Sequence, residues 1–240
     1  MGVVCLARWN DANSSQSLLQ LQDRVVKQFH GVVTGRWYGN LKLFRDSTII
    51  SNARVQAHQL KQAQNFRPNA SQQLLINEIT KHTNQTLYQL TLSNLPKKVF
   101  SWSSDSITES DPNLELLLSK LTNIWVPRQS AQIEGFIFDL GDFILRAGNL
   151  NIGTSYKGIL LEVEYQPCNH PKLRLPLAKE FLAQVLPRPT NYLDTVAPNT
   201  APEISFIDVD WYKTGLSTRT YSSLHTSHQY RALFEHDKLL

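Results

Sequence analysis

The strongest candidate for chemistry in this sequence is a pair of glutamates, Glu162 and Glu164, on a predicted strand. Side chains two residues apart on a strand leave the same face of a sheet, and two carboxylates there could bind a divalent cation for triphosphate hydrolysis inside a barrel. An enzyme of that triphosphate-tunnel type also needs a lysine two residues further on, but the residue there is Gln166, and Leu160 on the same face is apolar. We therefore expect Glu162 and Glu164 on a solvent-facing surface, and we keep the metal-dependent phosphohydrolase as the alternative.

Other arrangements that could bind ligands are incomplete. Residues 148–154 have the glycine spacing of a phosphate loop but no lysine before the threonine, which favours a hairpin loop. His225 with His228, and Cys168 with His170, have the spacing of metal ligands, but neither pair is joined by a further pair. Neither a nucleophile elbow nor a local cysteine-nucleophile pattern is recognisable. The sequence therefore predicts a protein that is not an enzyme and holds no metal or cofactor.

The elements that would position these residues are alternating strands. Apolar side chains recur at every second position in three successive runs: Phe136, Phe138 and Leu140; Phe143, Leu145 and Ala147; Ile159, Leu161, Val163 and Tyr165. A period of two with one apolar face predicts a half-buried antiparallel sheet. Phe138, Leu145 and Leu161 are its predicted core, and turns are expected at 140–142 and within 148–158, where glycines occur.

Further strands and helices complete an α+β pattern. Alternation predicts strands at 3–7, 36–45, 86–92 and 97–103. Helical spacing predicts four helices with these apolar stripes: Leu18, Leu21, Val25 and Phe29; Leu114, Leu117, Leu118 and Leu121; Leu177, Phe181, Leu182 and Val185; Tyr230, Leu233 and Phe234. The last helix is expected to begin at Ser227. Because a helix this short is marginal alone in water, it should dock either on the chain's own barrel or on a partner.

The chain divides into three predicted segments. Residues 1–186 form the core domain, with a polar insertion at 51–85 that is rich in Asn, Gln, Ala and Ser and is either partly helical or disordered. Residues 187–203 form a proline-rich linker. Residues 204–240 form a C-terminal docking segment that contains a strand and a helix.

Composition narrows the functional class. With 240 residues, of which 41% are hydrophobic and 18% charged, the chain can bury one substantial core. The net charge of +4 is dispersed, so we expect no direct nucleic-acid binding. No apolar run approaches the roughly 20 residues of a membrane span, a secretory signal is not recognisable, and Leu6 stands where a myristoylation signal has serine or threonine. We therefore expect an intracellular protein without a membrane anchor.

Four segments resemble one known family. The sequences LSKLTNIWVPRQ at 118–129 and YKGILLEVEY at 156–165 resemble the corresponding stretches of subunit 20 of the Mediator complex, especially its fungal form. Residues 1–5 do so as well, and residues 228–233 are similar to the tyrosine-rich end of the fungal protein.

The resemblance implies an antiparallel β-barrel with flanking helices, related to the barrel of Mediator subunit 18. It also implies a non-catalytic subunit of the Mediator head module, which pairs directly with subunit 18 beside other head subunits such as subunit 8. Its implied role is to help relay regulatory signals to RNA polymerase II at promoters in the nucleus.

Partner contacts, rather than catalytic residues, would then carry the function. The candidate contact residues are Trp125, Arg128, Tyr230, Leu233 and Phe234, because Trp and Arg are favoured interface anchors and the last helix needs a surface to pack on. Trp125 has a second interpretation, as a plug at one end of the barrel.

Overall fold

A computed structural model describes residues 2–12, 14–46, 86–103, 106–121, 124–187 and 203–239. The strands are β1 (Val3–Trp9), β2 (Val32–Asp46), β3 (Thr86–Leu92), β4 (Val99–Ser103), β5 (Ser106–Ser110), β6 (Trp125–Leu140), β7 (Phe143–Ile152), β8 (Ser155–Tyr165) and β9 (Ile204–Phe206). The helices are α1 (Ser15–Gln28), α2 (Asn113–Lys120), α3 (Arg174–Val185), α4 (Trp211–Thr214) and α5 (Ser223–His236). The predicted insertion at 51–85 and residues 188–202 of the predicted linker lie outside the described residues.

The strands form an open antiparallel sheet in the order β5-β4-β3-β2-β6-β7-β8-β1-β9. Among the described strands, β5 and β9 are its two ends, so the α+β class is confirmed and the closed β-barrel is wrong. Alternation with one apolar face is common to open sheets and barrels, because it does not encode whether the edge strands meet. The chain forms two compact units, one of Met1–Asn40, Leu92–Leu95 and Ala131–Leu240, the other of Leu41–Thr91 and Pro96–Ser130.

One face of the sheet in the first unit is covered by α1 and α3. The two helices contribute these buried residues: Leu18, Leu21, Val25, Ala178, Leu182 and Val185. The facing strands contribute alternate apolar side chains, among which Phe138, Leu145 and Leu161 are fully buried. The predicted core positions on these three strands are therefore confirmed.

The opposite face of the same sheet is covered by α5, so that β8 is buried on both sides. Residues 158–164 are all buried, and Glu162 is 0% exposed. The expectation that Glu162 and Glu164 face solvent is wrong, because a helix more than fifty residues away in sequence covers their side of the sheet. The period of a strand shows which residues share a face, but it does not show what packs on that face.

Glycines near β7 serve two different purposes. Gly141, at φ +80°, forms the predicted turn between β6 and β7, and Gly153, at φ +57°, forms the turn between β7 and β8. Gly148 lies within β7 opposite Gly135 of β6, where an added Cβ on Gly135 would lie 1.9 Å from a backbone oxygen of β7. The loop predicted within 148–158 is therefore mostly strand, because the glycine at 148 permits close backbone approach.

The second unit contains β3, β4, β5, α2 and the adjoining parts of β2 and β6. Tyr88 and Trp102 stack across the β3 and β4 pair with ring centroids 5.4 Å apart. Asp111 precedes α2, and its Oδ1 accepts a hydrogen bond from the first N–H of the helix at 2.7 Å. The four-leucine buried stripe predicted for this helix is wrong, since only Leu118 is buried and Leu117 is 53% exposed.

The C-terminal helix begins earlier than predicted. Ser222 is the N-cap of α5, and its side chain and that of His225 each accept a hydrogen bond from the other's backbone N–H in a capping box. The familiar form of this box has Glu or Gln at its third helical position. A histidine in that position departs from the familiar pattern, so the predicted start at Ser227 is four residues beyond the first helical residue, Ser223.

Candidate functional site

The glutamate pair that suggested catalysis belongs to a buried ionic cluster in the first unit. Arg146 of β7 lies directly opposite Glu162 of β8 in the antiparallel ladder, with Glu164 two residues along the same face. Arg146 Nη1 donates to Glu162 Oε1 and Arg146 Nη2 donates to Glu164 Oε2, both at 2.7 Å. We call Arg146, Glu162, Glu164 and Tyr230 of α5 the Arg146 cluster.

Every carboxylate oxygen of the Arg146 cluster accepts a hydrogen bond. Besides the two bonds from the guanidinium, Tyr230 Oη donates to Glu162 Oε2 at 2.8 Å, and Asn94 Nδ2 donates to Glu162 Oε1 at 3.1 Å. The N–H of Gly2 donates to Glu164 Oε1 at 3.0 Å. A metal ion would have to displace these donors inside a buried cluster. The arrangement is therefore suited to holding β7, β8 and α5 together rather than to binding a divalent cation with its triphosphate substrate.

The electrostatics of the cluster agree with its geometry. Burial alone would lower the pKa of Arg146, but the neighbouring Glu162 and Glu164 raise it above its ordinary value. Burial, followed by the charge of Glu162, raises the pKa of Tyr230 well above its usual range. The tyrosine therefore stays a neutral donor and the arginine stays charged, as their bonds require.

Gln229 fixes α5 to the edge of β1. Its Oε1 accepts from the N–H of Leu6 and its Nε2 donates to the carbonyl of Val4, both at 2.9 Å. Nε2 also donates to Tyr221 Oη at 2.8 Å. Because β9 pairs only with the last residues of β1, the side-chain amide takes the place of a neighbouring strand there. The helix is thus a component of the first unit and docks on the chain's own sheet.

The apolar stripe of α5 is part of this intramolecular contact. Tyr230 and Leu233 are fully buried, and Phe234 is nearly so. At the far end of the helix, Asp237 forms an ion pair with Arg8 of β1. The role that we predicted for the three stripe residues in partner binding stays a prediction, and in this structure their side chains are occupied within the chain.

His225, which has the spacing of a metal ligand with His228, is instead engaged in structural hydrogen bonds. His225 Nδ1 accepts from the N–H of Ser222 at 3.1 Å, so its Nε2 carries the proton and donates to the carbonyl of Ser217 at 2.9 Å. Burial lowers the pKa of His225, and burial, with Arg231 and then His225, lowers the pKa of His228 to about 4. Within the described ranges, no three His, Cys, Asp or Glu residues are placed to hold a metal ion.

A cavity of about 580 Å³ lies beside α2 in the second unit. We call it the α2 groove and define it by its lining residues Lys42, Phe44, Pro112, Leu116, Leu118 and Pro127. Glu115, which also lines it, forms an ion pair with Lys42 that connects α2 to β2. Leu116 is 57% exposed at the groove, so the cavity is open and apolar.

Two of the predicted contact residues lie at the start of β6 in the same unit. Trp125 is half-buried, and its backbone N–H donates to the carbonyl of Leu121 at 2.9 Å. Arg128 is exposed. Since the sheet is open, the interpretation of Trp125 as a barrel plug loses its basis. The structure does not bring these two residues together with the stripe of α5 in one unit.

Sequence reasoning missed the two residues that organise the first unit's buried face. Arg146 had a signal, because it is a lone charge in the otherwise apolar run from Ile144 to Ala147 and could have been matched to Glu162 on the next strand. Gln229 had none, since its partners are backbone atoms of β1 more than two hundred residues away.

Comparison with known proteins identifies relatives of this chain. The chain is 31% identical over 104 residues to "Mediator of RNA polymerase II transcription subunit 20" of Anopheles gambiae, covering 41% of this chain and 48% of that protein. It is 27% identical over 203 residues to the protein of that name from Eremothecium gossypii, covering 78% and 80% of the two chains. The match to the Homo sapiens protein of that name is 29% over 107 residues and covers 43% and 50%. The chain matches about half of the length of the Anopheles gambiae and Homo sapiens proteins.

Structural comparison gives a weaker result. The solved structure of the PH1012 protein from Pyrococcus horikoshii OT3 aligns with 84% of this chain and 97% of its own at 11% identity, with a TM-score of 0.37 that is too low to support a shared fold. Among the described helices, none is long and apolar enough to cross a membrane.

The family comparison covers nearly the whole sequence. Residues 1–235 match the model described as the TATA-binding related factor (TRF) of subunit 20 of Mediator complex. This range includes all of the second unit and all but the last five residues of the first, with all of α1 to α4 and most of α5. The chain therefore belongs to the Mediator subunit 20 family.

Proposed function

We propose that the chain is a non-catalytic subunit of the Mediator complex that acts in transcription by RNA polymerase II. The observation that carries this proposal is the family match over residues 1–235, together with relatives whose printed name is that of a Mediator subunit. Mediator membership implies a nuclear location, and the finer role, to relay regulatory signals to the polymerase at promoters, is part of the proposal.

Direct pairing with Mediator subunit 18 is the proposed mode of assembly, next to other head subunits such as subunit 8. Trp125 and Arg128 of β6 are the proposed contact residues, because Trp125 is only half-buried, Arg128 is exposed, and both residue types are favoured as interface anchors. We further propose that the fold of this chain is related to that of subunit 18. Neither membrane attachment nor direct nucleic-acid recognition is part of the proposed function.

The buried Arg146 cluster supports a role without catalysis. The phosphohydrolase alternative needs carboxylates that are free to coordinate a cation, whereas the four oxygens of Glu162 and Glu164 already accept hydrogen bonds. Purified protein should therefore not hydrolyse nucleoside triphosphates in the presence of magnesium or manganese. An activity that Glu162→Gln abolished would contradict this part of the proposal.

Affinity purification tests Mediator membership. The tagged full chain should recover Mediator head subunits from nuclear extract, as identified by mass spectrometry. A Trp125→Ala and Arg128→Glu double variant should lose most of the subunit 18 signal, whereas Lys213→Glu, at a position whose side chain is 83% exposed in the other unit, should not. Recovery of no Mediator subunit by the wild-type chain would overturn the proposed function.

A further inference from the structure

The α2 groove is an apolar surface for which the described residues of the second unit supply no cover. Leu118 of α2 is buried, whereas Leu116, which also lines the groove, is 57% exposed. A leucine that lines an apolar cavity and is more than half exposed adds to the apolar surface open to a partner, and such surfaces mark contact sites. We propose that the α2 groove binds an amphipathic helix of another protein, with carboxylates beside its apolar face.

The floor of the groove favours an apolar contact. Phe44, Pro112, Leu118 and Pro127 contribute carbon-rich walls, and the one pair of charges among the lining residues, Lys42 and Glu115, is already joined in an ion pair. A ligand that enters the groove meets no uncompensated charge there. The apolar side chains of such a ligand can therefore be buried there without leaving an unpaired charge buried beside them.

The surroundings of the groove carry positive charge, which specifies the partner's chemistry. Three exposed cations, Arg45, Lys120 and Arg128, are the direct chain neighbours of the lining residues Phe44, Ser119 and Pro127. None of the three forms an ion pair with another described residue. Outside the lining, the carboxylate with the same relation to a lining residue is Asp111, which precedes Pro112 and accepts a hydrogen bond from the N–H of Asn113. Asp46, which follows Arg45, is half-buried and already has an interaction partner. A partner with carboxylates at the margins of its apolar face would complement this distribution.

The dimensions of the groove favour a helix as the occupant. α2 has eight residues and is therefore about 12 Å long. A helix lying along it can place apolar side chains at positions i, i+3 or i+4, and i+7 over that length. The cavity of about 580 Å³ is of a size that suits a few large side chains. This inference goes beyond the proposed pairing with subunit 18. The two proposals share Arg128, so the groove is tested at Leu116 and Lys120, which the proposed pairing does not use.

The test uses the full chain and a designed probe. The probe is a fluorescein-labelled peptide of about 15 residues, a length at which an isolated helix is marginal, with leucines at helical spacing and glutamates between them. One control peptide has the same composition with the leucines spread around the helix, and a second has lysines in place of the glutamates. Binding is measured by fluorescence anisotropy at low and high salt.

Matched variants separate the groove from the rest of the surface. Leu116→Gln and Lys120→Glu alter the groove and its margin, whereas Leu19→Gln, at a 58% exposed leucine of α1, and Lys172→Glu alter the first unit. All four positions are exposed, so folding should be retained, and circular dichroism checks it.

The wild-type chain should bind the acidic amphipathic probe in preference to both control peptides, and more weakly as salt rises. Leu116→Gln should weaken binding of the acidic probe by about tenfold. Lys120→Glu should weaken binding of the peptide with glutamates and strengthen binding of the control peptide with lysines. The two variants of the first unit should bind like wild type. Equal affinity for the glutamate and lysine probes, equal binding by Leu116→Gln, or no binding at about 1 mM peptide would overturn the proposal. None of these outcomes bears on recovery of Mediator subunits, which tests the proposed function separately.

Discussion

Replacing Arg146 by methionine should destabilise the protein more than replacing any exposed cation. Its side chain is only 8% exposed and donates two bonds of 2.7 Å to two glutamates, one of which is itself completely buried. Hydrogen bonds to charged groups contribute about 1.5–3 kcal/mol each, and removal of one partner of a buried ion pair costs about 3–5 kcal/mol. We therefore expect Arg146→Met to lower the free energy of unfolding by about 4 kcal/mol, which corresponds to a Tm decrease of about 8–16 °C for a chain of this size.

Urea denaturation followed by circular dichroism measures this loss. The triple variant Arg146→Met, Glu162→Gln, Glu164→Gln should recover much of it, because the cost arises from the carboxylates left without a cation rather than from the missing guanidinium alone. Arg219→Met, at an exposed arginine of the same unit, should change the free energy of unfolding by less than about 0.5 kcal/mol. An Arg146→Met variant as stable as Arg219→Met, or a triple variant no more stable than the single one, would refute this reasoning.

Four further measurements test other parts of the structure. Gln229→Leu should lower the free energy of unfolding by about 2–4 kcal/mol, because it leaves two backbone groups of β1 buried without partners; an unchanged urea midpoint would show that water replaces the amide. Leu161→Ala should cost about 2–5 kcal/mol, whereas Leu19→Ala, at a 58% exposed position, should cost less than about 1 kcal/mol; equal losses would mean that the two faces are misassigned. Burial lowers the pKa of His228 to about 4, whereas a histidine in the unfolded chain takes up its proton near pH 6.5. The free energy of unfolding should therefore fall as the pH drops from about 6.5 to about 4. His228→Gln should lose less of its free energy of unfolding over that range than the wild type does. Gln89→Met should raise the free energy of unfolding by about 1–3 kcal/mol, because both amide atoms of this buried side chain lack hydrogen-bond partners among the described residues; a lower melting temperature would indicate that a bound water satisfies them.

Much of the strand framework follows from local periodicity. The alternate apolar residues that include Phe138, Leu145 and Leu161 line one core, and the helical spacing of Leu18, Leu21 and Val25 marks the buried face of α1. These predictions succeed because a period of two or of 3.6 is a property of neighbouring residues. The pairing of strands is not such a property: the strand pattern is compatible with both a barrel and an open sheet, and the closed barrel that the family resemblance implies is wrong.

The errors at the candidate site have a common physical cause. The sequence predicts Glu162 and Glu164 at the solvent because carboxylates are rarely buried, but the compensating Arg146 and the covering α5 come from other parts of the chain. In the second unit, leucines at helical spacing predict a buried stripe, yet Leu117 is exposed. In both cases the sequence pattern shows the faces of an element correctly, whereas the occupant of each face depends on contacts between distant segments.

Coexpression with Mediator subunit 18, followed by size-exclusion chromatography, tests the central claim most directly. The wild-type chain should elute with subunit 18 in a stoichiometric complex, and the Trp125→Ala, Arg128→Glu variant should elute apart from it as a folded protein that still melts cooperatively. Elution of the wild-type chain and subunit 18 as two separate folded proteins would contradict the assignment of this chain as a direct partner of subunit 18 in Mediator.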